Sequence, residues 1–243
     1  MSENVSGNTA GIAADSAAAS PAGLALQKIA VSLGLALSDA QAQALMAYLA
    51  LMQRWNATYN LPAVRDPAQM LTQHLADCLA VIGPLRRSAS MTGNNTTLRL
   101  LDVGSGGGLP GVVIAILNPH IDVTCVDTVG KKAAFVQQVA AELRLRNLHA
   151  VHSRVEAMKL APFDLITSRA FASLSDFVRL TRKQLTADGI WMAMKGKHPA
   201  EELESLPADL DVFHVEQLTV PGLDADRCII WMRVAPPSGS GLS

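Results

Sequence analysis

The chain has 243 residues, of which 49% are hydrophobic and 17% charged, and its formal net charge is −1. This length and apolar content predict one large domain, or a core with a modest addition, and exclude wholesale disorder. The small net charge hides an asymmetry, because residues 131–197 hold twelve Lys or Arg against five Asp or Glu. One cationic face on an acidic protein and chance clustering on solvated helices are both consistent with that asymmetry.

Cysteine usage and hydropathy indicate where the protein works. The three cysteines are far apart and form no CxxC pair, so they indicate neither a disulfide framework nor a zinc site, and their thiols suit a reducing cytoplasm. No secretory signal is visible, and no apolar run reaches the roughly 18–20 residues needed to span a bilayer. We expect a cytoplasmic protein that stays out of membranes. Since no exposed heptad or long edge strand indicates a dimer, we expect a monomer.

The N-terminal third of the sequence predicts helices. Residues 1–22 are rich in Ala, Ser, Gly and Asn and are expected to form a disordered extension. Residues 23–85 are expected to form a helical cap. Within it, Ser38 and Gln41 match a capping box that opens a helix, and Asp66 and Pro67 match the N-cap and first residue of another. A polar loop is predicted over residues 86–97.

Residues 98–234 alternate between strand and helix patterns. Strands are predicted at 98–103, 121–127, 149–153, 163–168, 190–195, 212–220 and 227–234. Apolar strands alternating with helices predict an α/β fold, a mostly parallel Rossmann-like sheet covered on both faces. The last two strands, joined by a short Pro-Gly region, are expected to add an antiparallel hairpin at its edge. Residues 235–243 are expected to be a flexible tail.

The strongest local motif is DVGSGGGLPG, residues 102–111. A strand running into glycines and then a helix exposes backbone amides at the carboxyl end of the strand, where open α/β sheets bind ligands. The form is acidic-x-G-x-G-x-G through Gly104, Gly106 and Gly108, with Ser105 between the first two. Enzymes that use S-adenosylmethionine carry this form, whereas dinucleotide folds favour GxGxxG. A structural loop or a nicotinamide dehydrogenase remains the alternative.

Two further segments are predicted to reach the same edge of the sheet. Asp127 ends the second strand, where a carboxylate can accept hydrogen bonds from ribose hydroxyls, although it can also cap the following helix. Beyond the third strand, Arg154, Val155 and Glu156 lie where an adenine ring could be held. The alternative for Arg154 and Glu156 is a surface ion pair.

The end of the 163–168 strand bears on the type of reaction. It lacks the Asn/Asp-Pro-Pro-aromatic motif of many amine methyltransferases and the Cys nucleophile of pyrimidine C5 methylation. An acceptor such as guanine N7 needs neither, because it presents a lone pair and has no proton to lose. Arg169 could contact guanine O6 or the cofactor, and Phe171 could stack on a base or simply pack in the core.

Cationic and polar side chains complete the candidate set. Lys195 and Lys197 follow a strand that ends at the same edge and suit phosphate contacts, with solvated surface charges as the alternative. Arg169 and Lys195 are the candidate catalytic residues. His74 and Asp77 are candidates to face the site, and a hydrogen-bonded core histidine is the alternative for His74.

Together these motifs resemble the bacterial small-subunit rRNA guanine-N7 methyltransferase family, also called glucose-inhibited division protein B. The stretches that carry the resemblance are RWNATYNL (54–61), the HxxD of His74 and Asp77, LDVGSGGGLPG (101–111), SRVE (153–156), SRAFASL (168–174) and MKGK (194–197). The resemblance implies a seven-stranded S-adenosylmethionine-dependent methyltransferase core with an N-terminal helical cap. It implies methylation of N7 of guanine 527 of 16S rRNA, in the small ribosomal (30S) subunit or its assembly intermediate.

Site residues also follow from the resemblance. It implies cofactor contacts at Gly104, Leu109, Val155, Glu156 and Arg169. It places Arg154 and Lys195 on the RNA side. A non-catalytic assembly factor that only binds S-adenosylmethionine and rRNA is the alternative function.

Overall fold

The computed structural model describes residues 20–59, 66–91, 97–171 and 173–236. Most of the predicted N-terminal extension and of the predicted C-terminal tail therefore lies outside the described residues. The extension does not continue to residue 22, since a helix begins at Pro21 with Ser20 as its N-cap, whose hydroxyl accepts from Gly23 N at 3.1 Å.

Helices form the N-terminal part. Their bounds are α1 Pro21–Ser32, α2 Asp39–Tyr59, α3 Pro67–Met70, a π-helical turn Leu71–Ala76, α4 Asp77–Leu79 and α5 Ile82–Met91. The predicted capping box is confirmed. Gln41 N donates to Ser38 Oγ at 3.2 Å, and Ser38 N donates to Gln41 Oε1 at 3.0 Å, so α2 starts where the sequence indicates.

The polar loop predicted over 86–97 is wrong for residues 86–91, which continue α5. The cause is tertiary. Arg86 donates from Nε to Asn118 Oδ1 at 2.9 Å and from Nη2 to Leu117 O at 2.8 Å, and Arg87 pairs with Glu216. Contacts with distant parts of the chain hold this end of the helix against a composition that favours a loop.

Seven strands form one sheet in the order β3-β2-β1-β4-β5-β7-β6. The strands are β1 Leu98–Val103, β2 Ile121–Asp127, β3 Leu148–His152, β4 Phe163–Arg169, β5 Leu185–Lys195, β6 Leu210–Leu218 and β7 Arg227–Val234. The first five pair in parallel, and β7 runs antiparallel to both β5 and β6. The predicted mostly parallel sheet with a C-terminal antiparallel hairpin is confirmed.

Helices cover both faces of the sheet. They are α6 Gly111–Leu117, α7 Gly130–Glu142, α8 Leu174–Thr181 and α9 Ala200–Glu204, with 3₁₀ turns at Val155–Ala157 and Arg182–Gln184. Neighbouring β1 residues point to opposite faces, and Leu100 joins the larger core with α6 and α7 while Leu101 joins the core around α8. The larger core also contains Leu45 and Met52 of α2. The N-terminal helices therefore pack on the same face as α6 and α7.

Two further features bear on the sequence-based expectations. All three cysteines are buried free thiols, and a buried free cysteine packs as a small hydrophobic residue. Within the described ranges, no helix is both long and apolar enough to cross a bilayer.

Candidate functional site

The glycine loop, residues 104–108, leaves the end of β1 and turns sharply. Gly104, Gly106 and Gly108 have φ values of 67°, 58° and 85°, in the left-handed region that glycine tolerates best. Gly104 N and Ser105 N both donate to Val126 O of β2, at 2.9 and 3.2 Å. The loop is therefore fastened to the neighbouring strand at the carboxyl edge of the sheet, where the motif predicted a ligand site.

Asp102 supports this loop from beneath. Its Oδ2 accepts from Gly111 N at 2.8 Å, while its Oδ1 is buried with no hydrogen-bond partner in the described structure. Burial raises the pKa of Asp102 to about 7. Gly111 must be glycine for this approach, because a Cβ there would lie 2.5 Å from Cys125 Sγ and 2.9 Å from Asp102 Oδ2.

Asp127 joins the glycine loop to the start of α7. Its Oδ2 accepts from Gly106 N at 2.9 Å, and its Oδ1 accepts from Val129 N at 2.8 Å. The bond to Val129, just before α7, supports the capping alternative. The predicted ribose contact of Asp127 stays a prediction.

The central cleft, a cavity of about 440 Å³, opens between the glycine loop, the N-terminal helices and the ends of β4, β5 and β7. Of the predicted residues, those that line it are Gly104, Ser105, Gly106, Leu109, Arg169 and Lys195, together with His74 and Asp77. The predicted residues that do not line it are Asp127, Arg154, Val155, Glu156 and Lys197. Their roles stay predictions.

A single carboxylate holds two arginines in this cleft. Asp77 Oδ2 accepts from Arg169 Nη1 at 3.2 Å, and its Oδ1 accepts from Arg227 Nε at 2.9 Å. Arg169 also donates to Gln73 O at 3.3 Å. Sequence reasoning missed Arg227. Its one signal was position, since the first residue of an antiparallel strand lies at the edge where parallel strands end.

Lys195 is tied to α9. Its Nζ donates to both carboxylate oxygens of Glu202 at 2.9 Å, and Glu202 Oε2 also accepts from Leu174 N, the first residue of α8, at 2.7 Å. Lys197, two residues further on, is exposed. The end of β5 thus presents one lysine paired with a carboxylate and one exposed to solvent.

The segment after β3 divides its residues between core and surface. Val155 is buried, and its carbonyl accepts from Gln184 Nε2 at 3.2 Å, whereas Arg154 and Glu156 are exposed. Phe171 packs edge-on against Phe177, with ring centroids 5.8 Å apart. The core-packing alternative for Phe171 is thus the arrangement observed.

Helix α2 reaches the glycine loop from above, which the sequence did not reveal. Tyr48 donates its hydroxyl to Gly107 O at 2.6 Å. A Cβ at Gly107 would lie 3.3 Å from Met52 Cε, so the two segments pack closely. The N-terminal helices therefore form one wall of the site.

His74 lies in the π-helical turn and lines the cleft. It is 8% exposed, yet neither ring nitrogen has a hydrogen-bond partner within the described part of the chain. His74 is thus buried as a core histidine would be, but it faces the cleft and its ring has no hydrogen bond of good geometry among the described residues. Burial lowers the pKa of His74, and the positive charge of Arg169 lowers it further, against smaller raising effects of the Gln73 carbonyl and Asp77, so the neutral imidazole is favoured.

Comparisons with known proteins agree with the resemblance stated from the motifs. The GidB family model, described as rRNA small subunit methyltransferase G, matches residues 41–230. The chain is 63% identical over 204 residues to ribosomal RNA small subunit methyltransferase G of Leptothrix cholodnii, covering 84% of this chain and 92% of that protein. It is 58% identical over 213 residues to the protein of that name from Acidovorax sp. strain JS42, covering 86% and 94%.

Among solved structures, TrmN of Thermus thermophilus aligns with a TM-score of 0.50 and 16% identity, over 64% of this chain and 53% of that one. That likeness shows the fold alone, the seven-stranded methyltransferase core expected from the sequence. Family membership is carried by the family match over residues 41–230 and by the identity to the two relatives. The chain belongs to the GidB family, rRNA small subunit methyltransferase G.

Proposed function

We propose that this protein transfers a methyl group from S-adenosylmethionine to N7 of guanine 527 of 16S rRNA, within the small ribosomal subunit or its assembly intermediate. We further propose that it acts in the cytoplasm as a monomer. Family membership supports an rRNA substrate. The choice of atom rests on the family and on the end of β4, which lacks the motifs of amine methylation and of pyrimidine C5 methylation.

The glycine loop fits S-adenosylmethionine. The backbone of Gly106 lies open on the side where a Cβ would project, with nothing within 4 Å, so a ligand can approach the main chain. The residues proposed to hold it are Gly104, Ser105, Gly106, Leu109 and Arg169 in the cleft, with Asp127, Val155 and Glu156 beyond it. When bound, S-adenosylmethionine supplies an electrophilic methyl group for the N7 lone pair.

The carboxylate of the cleft is already engaged. Among the described residues that line the cleft, Asp77 is the one carboxylate, and both of its oxygens accept from arginines. It is therefore not placed to take a proton from the acceptor. Guanine N7 has no proton to lose, so methylation there needs no general base. The protein then only has to position the guanine. Orientation of this kind can contribute on the order of 7–11 kcal/mol.

Cations around the cleft suit RNA. Arg169 can donate to guanine O6, and Lys195, Lys197 and Arg154 are proposed to contact phosphates, which position the RNA without reading its sequence. Arg154 and Lys197 are exposed. A phosphate that approaches Lys195 would compete with Glu202 for its amino group.

The test is methyl transfer from labelled S-adenosylmethionine to small subunits that lack N7-methylguanosine, with the modified nucleotide then mapped. We expect label on N7 of guanine 527 and none on large subunits, and we expect NADH not to compete with S-adenosylmethionine. Measurable S-adenosylmethionine binding without transfer to free 16S rRNA, assembly intermediates or 30S subunits would contradict the enzyme and favour the non-catalytic assembly factor.

A further inference from the structure

We infer that His74 contacts the acceptor guanine directly and accepts a hydrogen bond from the edge of the base that carries N1–H and the 2-amino group. The inference rests on the proposed function. It makes the N-terminal helices part of base recognition as well as a wall of the cleft.

The backbone around His74 is the first observation. Residues Leu71–Ala76 form a π-helical turn between two α-helical segments, α3 and α4. Such turns are rare and occur frequently at functional sites. Here Leu71 and Leu75 are buried in the core, while His74 and Asp77 line the cleft.

The second observation is the imidazole itself. It is 8% exposed, and in the described part of the chain neither ring nitrogen has a hydrogen-bond partner of good geometry. The nearby Gln73 carbonyl, which raises the pKa of His74, could engage one ring nitrogen as a donor and would leave the other as an acceptor. Buried polar groups nearly always have partners, and an unsatisfied one costs stability. A ligand in the cleft would supply the missing partner.

The position of His74 indicates which ligand this is. The glycine loop lies at β1 and β2, where S-adenosylmethionine is proposed to bind. His74 lies instead near Arg169, whose charge affects it, and Asp77 beside it binds both Arg169 of β4 and Arg227 of β7. These groups extend from β4 to β7, away from β2, and we place the acceptor there. Arg169, at the end of β4 beside β1, lies between the proposed cofactor and the proposed acceptor.

Hydrogen-bonding capacity gives His74 a distinct task. Arginine and lysine only donate, so Arg169, Arg227 and Lys195 can serve guanine O6 but not the N–H groups of the base. Asp77 uses both oxygens on arginines. A neutral imidazole has one nitrogen that donates and one that accepts. In the cleft, the accepting nitrogen of His74 can therefore take a hydrogen bond from N1–H or from the 2-amino group of guanine.

Protonation would remove that acceptor. The charged or titratable groups that line the cleft with His74 are Asp77 on α4, Arg169 on β4, Lys195 on β5, and Arg227 and Cys228 on β7. Methylation also leaves the base positively charged, since the N7 lone pair becomes the new bond and no proton departs. A neutral His74 accommodates that charge better than an imidazolium would.

The experiment compares His74→Phe and His74→Gln with wild type in the transfer assay on small subunits, from pH 5 to pH 9, with S-adenosylmethionine affinity and thermal stability measured alongside. Removing the acceptor in His74→Phe should lower kcat/KM roughly 10- to 100-fold with S-adenosylmethionine affinity unchanged. His74→Gln keeps an acceptor and a donor and should recover part of the loss.

Wild-type activity should fall on the acid side as His74 becomes protonated, and His74→Gln should lack that fall. His120→Gln, at an exposed histidine before β2, is the matched control.

The inference would be overturned if His74→Phe had the same kcat/KM and pH profile as wild type. It would also be overturned if weaker S-adenosylmethionine binding or unfolding explained the whole loss of kcat/KM. A wild-type protein that methylates some atom other than guanine N7 would overturn the proposed function and the inference with it. The two failures are distinguishable, because the first leaves N7 methylation by wild type intact.

Discussion

At the scale of residues, the arginines of the cleft depend on Asp77. Its carboxylate is 4% exposed and binds Arg169 and Arg227, which lie 58 positions apart on strands that are not neighbours in the sheet. Without Asp77, Arg169 would keep its bond to Gln73 O and Arg227 its bond to Asp226 O, but neither would keep its carboxylate partner. Two cations of the cleft therefore owe their pairing to one residue of the N-terminal helices.

Asp77→Asn should lower methyl transfer on the order of 10- to 100-fold, because an amide cannot hold two guanidinium groups as a carboxylate does. S-adenosylmethionine affinity should change much less if the glycine loop carries most of that binding. Both are measured by steady-state transfer and equilibrium titration. Asp176→Asn, which removes an exposed partner of Arg179, is the control and should leave both near wild type. Equal losses of methyl transfer in Asp77→Asn and Asp176→Asn would contradict the role of Asp77 in holding Arg169 and Arg227.

Asp102 provides a prediction about pH. Burial raises its folded-state pKa to about 7, above the ordinary value of 3.8, so the folded protein retains the proton longer than the unfolded chain. Stability from this group is then present at acidic pH and is lost as pH rises toward 7. Between pH 5 and pH 8 wild type should lose on the order of 2 kcal/mol relative to Asp102→Asn. Denaturant unfolding at both pH values measures this.

The comparison needs a control for general pH effects. Asp188→Asn, at an exposed position of β5, should follow wild type at both pH values. A pH dependence of stability in Asp102→Asn that matches wild type would contradict the raised pKa of Asp102.

Residues of the site differ in how far the sequence revealed them. The glycines were predictable because φ values above zero and close backbone approach leave few alternatives to glycine at these positions. Arg227 and Tyr48 were not, since a lone arginine at a strand start and a tyrosine in an amphipathic helix carry no local signature. Their roles arise only from contacts between distant segments, Arg227 with Asp77 and Tyr48 with Gly107.

At the scale of elements, α9 is linked to both α8 and the end of β5 by one side chain. Glu202 accepts from Lys195 Nζ and from Leu174 N at the start of α8. A carboxylate near the first turn of a helix is favoured by the exposed amides there. The arrangement holds Lys195 at the cleft before any RNA arrives.

Glu202→Gln should weaken this hold and leave the amino group of Lys195 more available to phosphate. We expect small-subunit binding to tighten by about twofold to fivefold at low salt, with a steeper salt dependence, because one more cation then contacts the RNA backbone. Binding titrations at several salt concentrations measure both. Glu201→Gln removes an exposed charge of the same helix and is the control. Unchanged salt dependence in Glu202→Gln alongside unchanged affinity would contradict a phosphate role for Lys195.

Element prediction succeeded where the local pattern and the tertiary environment agree. The strands at 98–103, 121–127 and 227–234 have the predicted bounds, since apolar runs bounded by turn residues are buried in the sheet. The loop predicted at residues 86–91 was wrong, because the side chains of Arg86 and Arg87 bind distant segments and hold these residues in α5. The π-helical turn at Leu71–Ala76 also escaped prediction, since its three- and four-residue apolar spacing is that of an ordinary α-helix.

At the scale of the whole molecule, the N-terminal helices and the sheet share one hydrophobic core, so the site lies between parts that fold together. The basic segment 131–197 is less uniformly exposed than its charge count indicated. Arg169 and Lys195 form ion pairs with only 23% and 17% of their side chains exposed, whereas Arg179 and Arg182 stay 67% and 40% exposed in theirs. The charge count of the segment therefore overstated the exposed cationic surface at Arg169 and Lys195.

The proposed activity is methylation of one guanine of 16S rRNA by the residues of the central cleft. Its most direct measurement is the N7-methylguanosine content at nucleotide 527, by mass spectrometry of 16S rRNA from bacteria that lack their own enzyme of this family and express this chain. Wild type should restore nearly complete methylation at that nucleotide, and Arg169→Ala should leave most copies unmethylated. Absence of N7-methylguanosine there with wild type would contradict the proposed activity, and undiminished methylation with Arg169→Ala would contradict the role of Arg169 in it.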